Sequence, residues 1–169
     1  MKIIEALKQI KELQRKADDL KDKVGKHSAY LSNETAVYDN QREQVRQWIQ
    51  SHSDIVKEIL RLRIAVQKTN LDTTVTIELG GKAITKTIAE WVHRRRDLAT
   101  SEALMWGKLT DRGLREGTVK QSTGQETEVK IVRCYDPKER DAALYLYQSE
   151  PSIVDSKLEV VNAVTDLME

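Results

Sequence analysis

The sequence predicts a mainly α fold: a long antiparallel helical hairpin or bundle with coiled-coil-like packing, carrying two short β-hairpins. Three observations predict it. Apolar residues step by three and four from Val45 through Trp48, His52, Ile55, Ile59 and Leu62 to Val66, and a mean step of about 3.5 keeps one stripe of a helix against a partner helix. Two later segments alternate polar and apolar residues around glycine-containing turns, the pattern of half-buried hairpins. The chain has no Phe and only 5% aromatic residues, so its core must be filled by Leu, Ile, Val and Ala, as in helical bundles.

The first helix is expected from about Lys2 to Lys26, with Ile3, Leu7, Ile10, Leu13, Ala17, Leu20 and Val24 on one narrow face. Its other faces are charged, and pairs such as Glu12 with Lys16 add about 0.2–0.5 kcal/mol each. Gly25 reads as a helix stop, and the polar stretch 28–40 as a connecting loop. Helix two, from about Asp39 to Asn70, widens its apolar face toward the carboxyl end through Ile55, Val56, Ile59, Leu60, Leu62, Ile64, Ala65 and Val66, which implies burial on more than one side, against helices one and three or a neighbouring subunit.

Thr74 to Leu79 alternates, Gly80-Gly81 can take positive φ, and Lys82 to Thr85 returns, so a hairpin is expected over about 74–85. An isolated hairpin is marginal in water, so its Val75, Ile77 and Leu79 face must rest on helices or on another chain. Thr87-Ile88-Ala89-Glu90 has capping-box spacing and opens helix three, expected to reach about Thr110. A second hairpin is expected from Val119–Gln121 and Glu126–Tyr135 around Ser122-Thr123-Gly124. Asp136-Pro137 then restarts a helix, and Pro151 is expected to divide the remainder into one helix to about Gln148 and another from Pro151 to Leu167. The domain expectation is a long-helix bundle over 1–112 with an inserted hairpin, and a hairpin with two C-terminal helices over 113–169 packing on the same core.

Composition excludes several function classes. Lys and Arg total 28 against 27 Asp and Glu, so no global field draws the protein to nucleic acid or anionic membranes. No apolar run approaches the ~18 residues of a membrane span, and Met1-Lys2-Ile3-Ile4-Glu5 turns charged too early for a signal peptide. The expected location is cytoplasmic: the host cytoplasm, or the virion if the chain is phage-encoded.

Asn70-Leu71-Asp72-Thr73 and Asn162-Ala163-Val164-Thr165 repeat one small pattern near two helix ends, where short polar side chains compete for backbone groups. Together with Met1 to Leu13, the segment Arg61 to Asn70, the first hairpin, and Ile88 to Leu98 ending in Arg95-Arg96-Asp97-Leu98, the chain resembles the septicolysin-like family of small, mostly helical bacterial and phage proteins. The resemblance implies a fold of long helices with hairpins and supplies no catalytic residue.

Candidate chemistry is sparse. His27, His52 and His93 do not stand at metal-ligand spacing, and the lone Cys134 cannot pair within the chain, so no metal or cofactor is expected. His52, inside the helix-two seam, reads as a pH-sensitive or register-setting position or as a partly exposed surface histidine. Cys134, beside Arg133 as a potential thiolate stabiliser, is expected to be a small buried or half-buried thiol. Gly80-Gly81 lacks the following Lys-Ser/Thr of a phosphate loop. His93-Arg94-Arg95-Arg96 with Trp91 and Trp106 is the local basic patch with aromatic company, and Trp91, Arg94 and Arg96 are its candidate nucleic-acid contacts. Consecutive helical residues point around a helix, however, which favours pairing of these arginines with carboxylates, Arg95 lying on the seam side.

The function expected from these readings is a non-enzymatic structural or assembly protein that works as a homo-oligomer within a larger assembly of proteins, a phage virion being the expected setting. Its expected interface comprises Trp48, His52, Ile55, Ile59, Val75, Ile77 and Leu79. The alternative is a nucleic-acid-associated accessory protein using the basic segment of helix three.

Overall fold

The computed structural model describes residues 1–168. It is mainly helical, with two small two-stranded antiparallel sheets. Helix α1 spans Ile3–His27 and α2 spans Gln41–Asp72; strands β1 (Thr74–Leu79) and β2 (Lys82–Thr87) come after them. Next come α3 (Ile88–His93), a π-helical turn (Arg94–Leu98) and α4 (Ala99–Trp106), then strands β3 (Gly117–Lys120) and β4 (Glu126–Val129) and helix α5 (Pro137–Val164). By its internal contacts the chain divides into two compact units. The first holds Met1–Val75, Thr87–Ala89 and the segment from Leu158 onward; the second holds Thr76–Lys86 and Glu90–Lys157. The expected boundary after residue 112 falls inside the second unit, because the chain after it is fastened to the chain before it. Arg133 grips Asp111 through two hydrogen bonds of 2.7 and 2.6 Å, and Arg140 donates to the Leu109 carbonyl at 3.0 Å.

In the first unit α1 and α2 run antiparallel. The Gln41 side chain at the start of α2 donates to the His27 carbonyl at the end of α1, at 2.9 Å, and accepts the Val37 amide at 3.0 Å, so one buried amide staples the connecting loop. His27, Tyr38 and Trp48 close the same end, ring centroids 5.3 to 5.6 Å apart. Along the pair, Ile3, Ala6, Ile10 and Ala17 face the stripe of Trp48, Ile59, Leu62 and Val66, all buried. Leu7, expected on the buried face, is 38% exposed, and Ala6 takes the place instead. α1 ends at His27, two residues past Gly25 and one past the expected Lys26.

The far end of this unit gathers both termini. Lys2 bridges to Asp166 through its backbone and, by its ammonium, to the Asp166 carboxylate at 2.8 Å and the Val164 carbonyl at 2.8 Å. The Met168 amide donates to the Thr69 hydroxyl at 2.9 Å, which itself donates to the Ala65 carbonyl at 2.8 Å. The two Asn-x-x-Thr repeats end equivalently. Thr73 and Thr165 each donate the last i→i−4 bond of a helix, at 2.9 Å, and each accepts the first amide of another, from Ile88 and Ile3.

In the second unit the glycine turn forms as expected, Gly80 and Gly81 lying at φ +56° and +75°, where a side chain on either would clash with its own backbone. A Cβ at Gly80 would also come within 3.2 Å of Leu146 on α5. Two expectations are corrected here. Helix three is interrupted: the Ala99 amide donates to the Arg94 carbonyl, five residues back, which makes 94–98 a π turn. The extra residue rotates the helix beyond it, so Leu98 and Leu104 are exposed while Ala99 and Ala103 are buried. The last two helices are in fact one, α5 running through Pro151. Proline deletes a hydrogen bond without ending a helix when neighbours hold both flanks, and Glu150 and Val154, on either side of it, are both buried. The second hairpin is shorter than expected, pairing Gly117 with Val129 through Lys120 with Glu126, since the Ile131 amide turns instead to the Glu116 carboxylate.

Candidate functional site

One concavity of the second unit is built around a buried ion pair. A cleft of about 310 Å³ is lined by Leu79, Ile84, Lys86, Trp91, Arg94, Leu146, Tyr147 and Glu150. Its polar feature is an ion pair. Arg94 donates from Nε and Nη2 to the two oxygens of Glu150, both at 2.7 Å, and its guanidinium stands 5.8 Å from the Tyr147 ring centroid. Glu150 is only 3% exposed, and Glu102 adds a third charge 3.7 Å from Arg94. The hydrogen bonds from Arg94 to Glu150 hold the guanidinium pKa above its ordinary value. A bidentate, largely desolvated pair of this kind is geometrically specific, and breaking it strands a charge.

Both partners stand at an irregularity of their helix. Arg94 opens the π turn, and Glu150 immediately precedes Pro151. The neighbouring Arg95 reaches Asp155 at 2.6 Å, five residues further along α5. Two consecutive arginines thus meet carboxylates roughly 7.5 Å apart along one helix. Chemically the arrangement is a clamp. Each Glu150 oxygen accepts one Arg94 N–H, which fixes the orientation of both side chains.

The residues expected to touch nucleic acid differ in their exposure, Arg96 being the exposed one. Trp91 is fully buried and offers no face to a base, Arg94 is committed to Glu150, and Arg96 lies 2.9 Å from His93 Nδ1 and 3.8 Å from Asp97. Arg94, not Arg95, is the more enclosed arginine, because the π turn shifts the helical phase. Cys134 is exposed, contrary to expectation, since β4 ends at Val129 and leaves it in a loop; its neighbour Arg133 is committed to Asp111. Among the described residues no group of three or more His, Cys, Asp and Glu is clustered for a metal ion, and no helix is long and apolar enough to cross a membrane.

Of the expected interface residues, Trp48, Ile59, Val75, Ile77 and Leu79 are covered within the chain itself, and His52 and Ile55 are half-buried. The hairpin face thus serves the chain's own packing: Leu79 shares the cleft wall with Leu146. His52 borders a small cleft of about 180 Å³ with Leu20, Lys21, Val24 and Ile49. What remains open is the other side of α2, where Ile49, Val56, Leu60, Ile64 and Leu71 are 54, 48, 60, 43 and 63% exposed. At 100° per residue these five fall within about 80° of one another. The signal lay in the sequence as a second stripe, masked by the stronger seam beside it.

No family model matches the chain, and no curated protein is significantly similar to it. A crystal structure of a functionally unknown conserved protein from Corynebacterium diphtheriae is similar in fold, with a TM-score of 0.59 at 20% identity over 99% of each chain.

Proposed function

We propose that this chain is a non-catalytic assembly protein that acts as a homo-oligomer, of the kind used as a component of a phage particle or another multi-subunit structure. One observation carries the reading: α2 presents an aligned set of five apolar residues from Ile49 to Leu71, each 43–63% exposed. Over those 22 residue steps the stripe runs about 33 Å. Scattered apolar residues on a surface need no explanation, but an aligned set on one helix face marks an association site. Helix pairing in a coiled-coil manner buries such a stripe most simply. The clamp of Arg94 on Glu150 supports the same reading, since the deepest polar cluster of the second unit is spent on holding helices together.

Light scattering on the purified protein tests the proposal. A mass of two or more subunits that falls on dilution supports it, whereas a monomer at every accessible concentration refutes it.

A further inference from the structure

The exposed stripe of α2 is a palindrome in spacing. Leu60 lies at its centre, Val56 and Ile64 stand four residues to either side, and Ile49 and Leu71 stand eleven to either side. The two positions that fill the stripe between them are also symmetric: Ser53 and Gln67, seven residues from Leu60 and both uncharged. A helix face that reads alike in both directions is self-complementary under one operation, a two-fold axis at right angles to the helix axis and lying in the plane of contact.

We propose that two copies of this chain pair antiparallel through α2, with Leu60 of each copy meeting Leu60 of the other on the two-fold axis. This rests on the homo-oligomer reading above and fixes its partner, surface and register. In that register Val56 meets Ile64 of the partner subunit, and Ile49 meets Leu71 of the partner subunit, so every apolar position faces an apolar one. A parallel, in-register pairing would also stack like residues. It would, however, set the two helix dipoles side by side in the same sense, while the antiparallel arrangement lays each positive amino end beside the other's negative carboxyl end. Two of the cations beside the stripe are neutralised within their own helix. Lys57 is within 3.4 Å of Asp54, and Arg61 is bound to Glu58 at 2.8 Å, each along its own helix.

The size of the patch sets the strength. A strip about 33 Å long and 10–12 Å wide covers about 350 Å² on each copy, below the ~800 Å² per partner of a standard stable interface. The dimer is accordingly weak and concentration-dependent, and becomes permanent only where other contacts hold the copies together.

Cysteine cross-linking in a Cys134→Ser background tests the register. Facing Cα atoms of two helices packed 8–10 Å apart, each about 2.3 Å from its own axis, lie about 3.4–5.4 Å from one another, the wider spacing falling within disulfide reach. Leu60→Cys alone should give a covalent dimer on mild oxidation at a protein concentration on the order of 0.1 mM. Ile49→Cys alone should not, since its two copies would lie about 33 Å apart, but Ile49→Cys with Leu71→Cys should. Efficient cross-linking of Ile49→Cys alone would overturn the antiparallel register. Failure of Leu60→Cys to cross-link while the protein's mass exceeds a monomer would overturn this inference and leave the homo-oligomer standing. A monomeric mass together with no cross-link in any variant would overturn both.

Discussion

The carbonyl oxygen of Thr165 accepts the amide hydrogen of Ile3 at 3.1 Å, and the same bond recurs between Thr73 and Ile88 at 2.9 Å. In each case a carbonyl just past one helix meets the first amide of another, so orphan groups at two helix ends satisfy each other. The termini are thereby tied within the chain. Lys2 strengthens one of these junctions through Asp166.

That salt bridge makes stability depend on acid. The Lys2 ammonium, chiefly by its hydrogen bond, holds the Asp166 carboxyl below the ordinary carboxylate range. A carboxyl depressed in the folded state contributes stability that is present above its unfolded pKa of about 3.9 and lost as pH falls through the folded value. Asp166→Asn should lower the melting temperature at neutral pH, and the gap to wild type should close in acid. A gap of constant size across the acid limb would show that the charge pairing is not its source.

Glu150→Ala should cost about 3 kcal/mol in urea denaturation, because it leaves the Arg94 guanidinium without its main partner in an enclosed site. Glu150→Leu combined with Arg94→Met should recover much of the loss, since an apolar pair of similar volume needs no desolvation to be compensated. Arg94→Lys should not match wild type, as a single ammonium cannot hold both carboxylate oxygens.

The two faces of α2 should respond oppositely to truncation. Leu62 is fully buried and Leu60 is 60% exposed. Leu62→Ala should destabilise the monomer by about 2–5 kcal/mol, while Leu60→Ala should change it by no more than about 0.5 kcal/mol. Equal effects would mean that the helix is rotated about its axis, with Leu60 no longer on the open side.

Glycine substitutions should separate helix from turn. Gly25 lies inside α1 with nothing within 4 Å of an added Cβ, so Gly25→Ala should stabilise by about 0.5–1 kcal/mol. Gly81, at φ +75°, should instead lose about 1–2 kcal/mol as Gly81→Ala. Thermal melts of the two variants, displaced in opposite directions, check both.

Periodicity made the long helices, the first hairpin and the buried positions Trp48, Ile59, Leu62 and Val66 of α2 legible in the sequence, because each depends on spacing within one short segment. The π turn was not legible: Arg94 to Leu98 is ordinary helical sequence, and the extra residue is accommodated through contacts with Glu150 and Asp155, more than fifty positions away. Pro151 misled for the same reason, since local rules weigh a lost hydrogen bond but not the packing that holds α5 together across it. The expected interface was drawn from the strongest apolar stripe. That stripe is strong because the chain's own core uses it, and the weaker stripe at Ile49 to Leu71 is the one left open.

Sedimentation across a range of concentrations, comparing wild type with Leu60→Asp, tests the central claim most directly. The substitution places a charge at the middle of the exposed stripe and touches no buried position, so its circular dichroism should match wild type. The account predicts that wild type associates as concentration rises while Leu60→Asp remains monomeric with unchanged helicity. Equal association of the two proteins would contradict it.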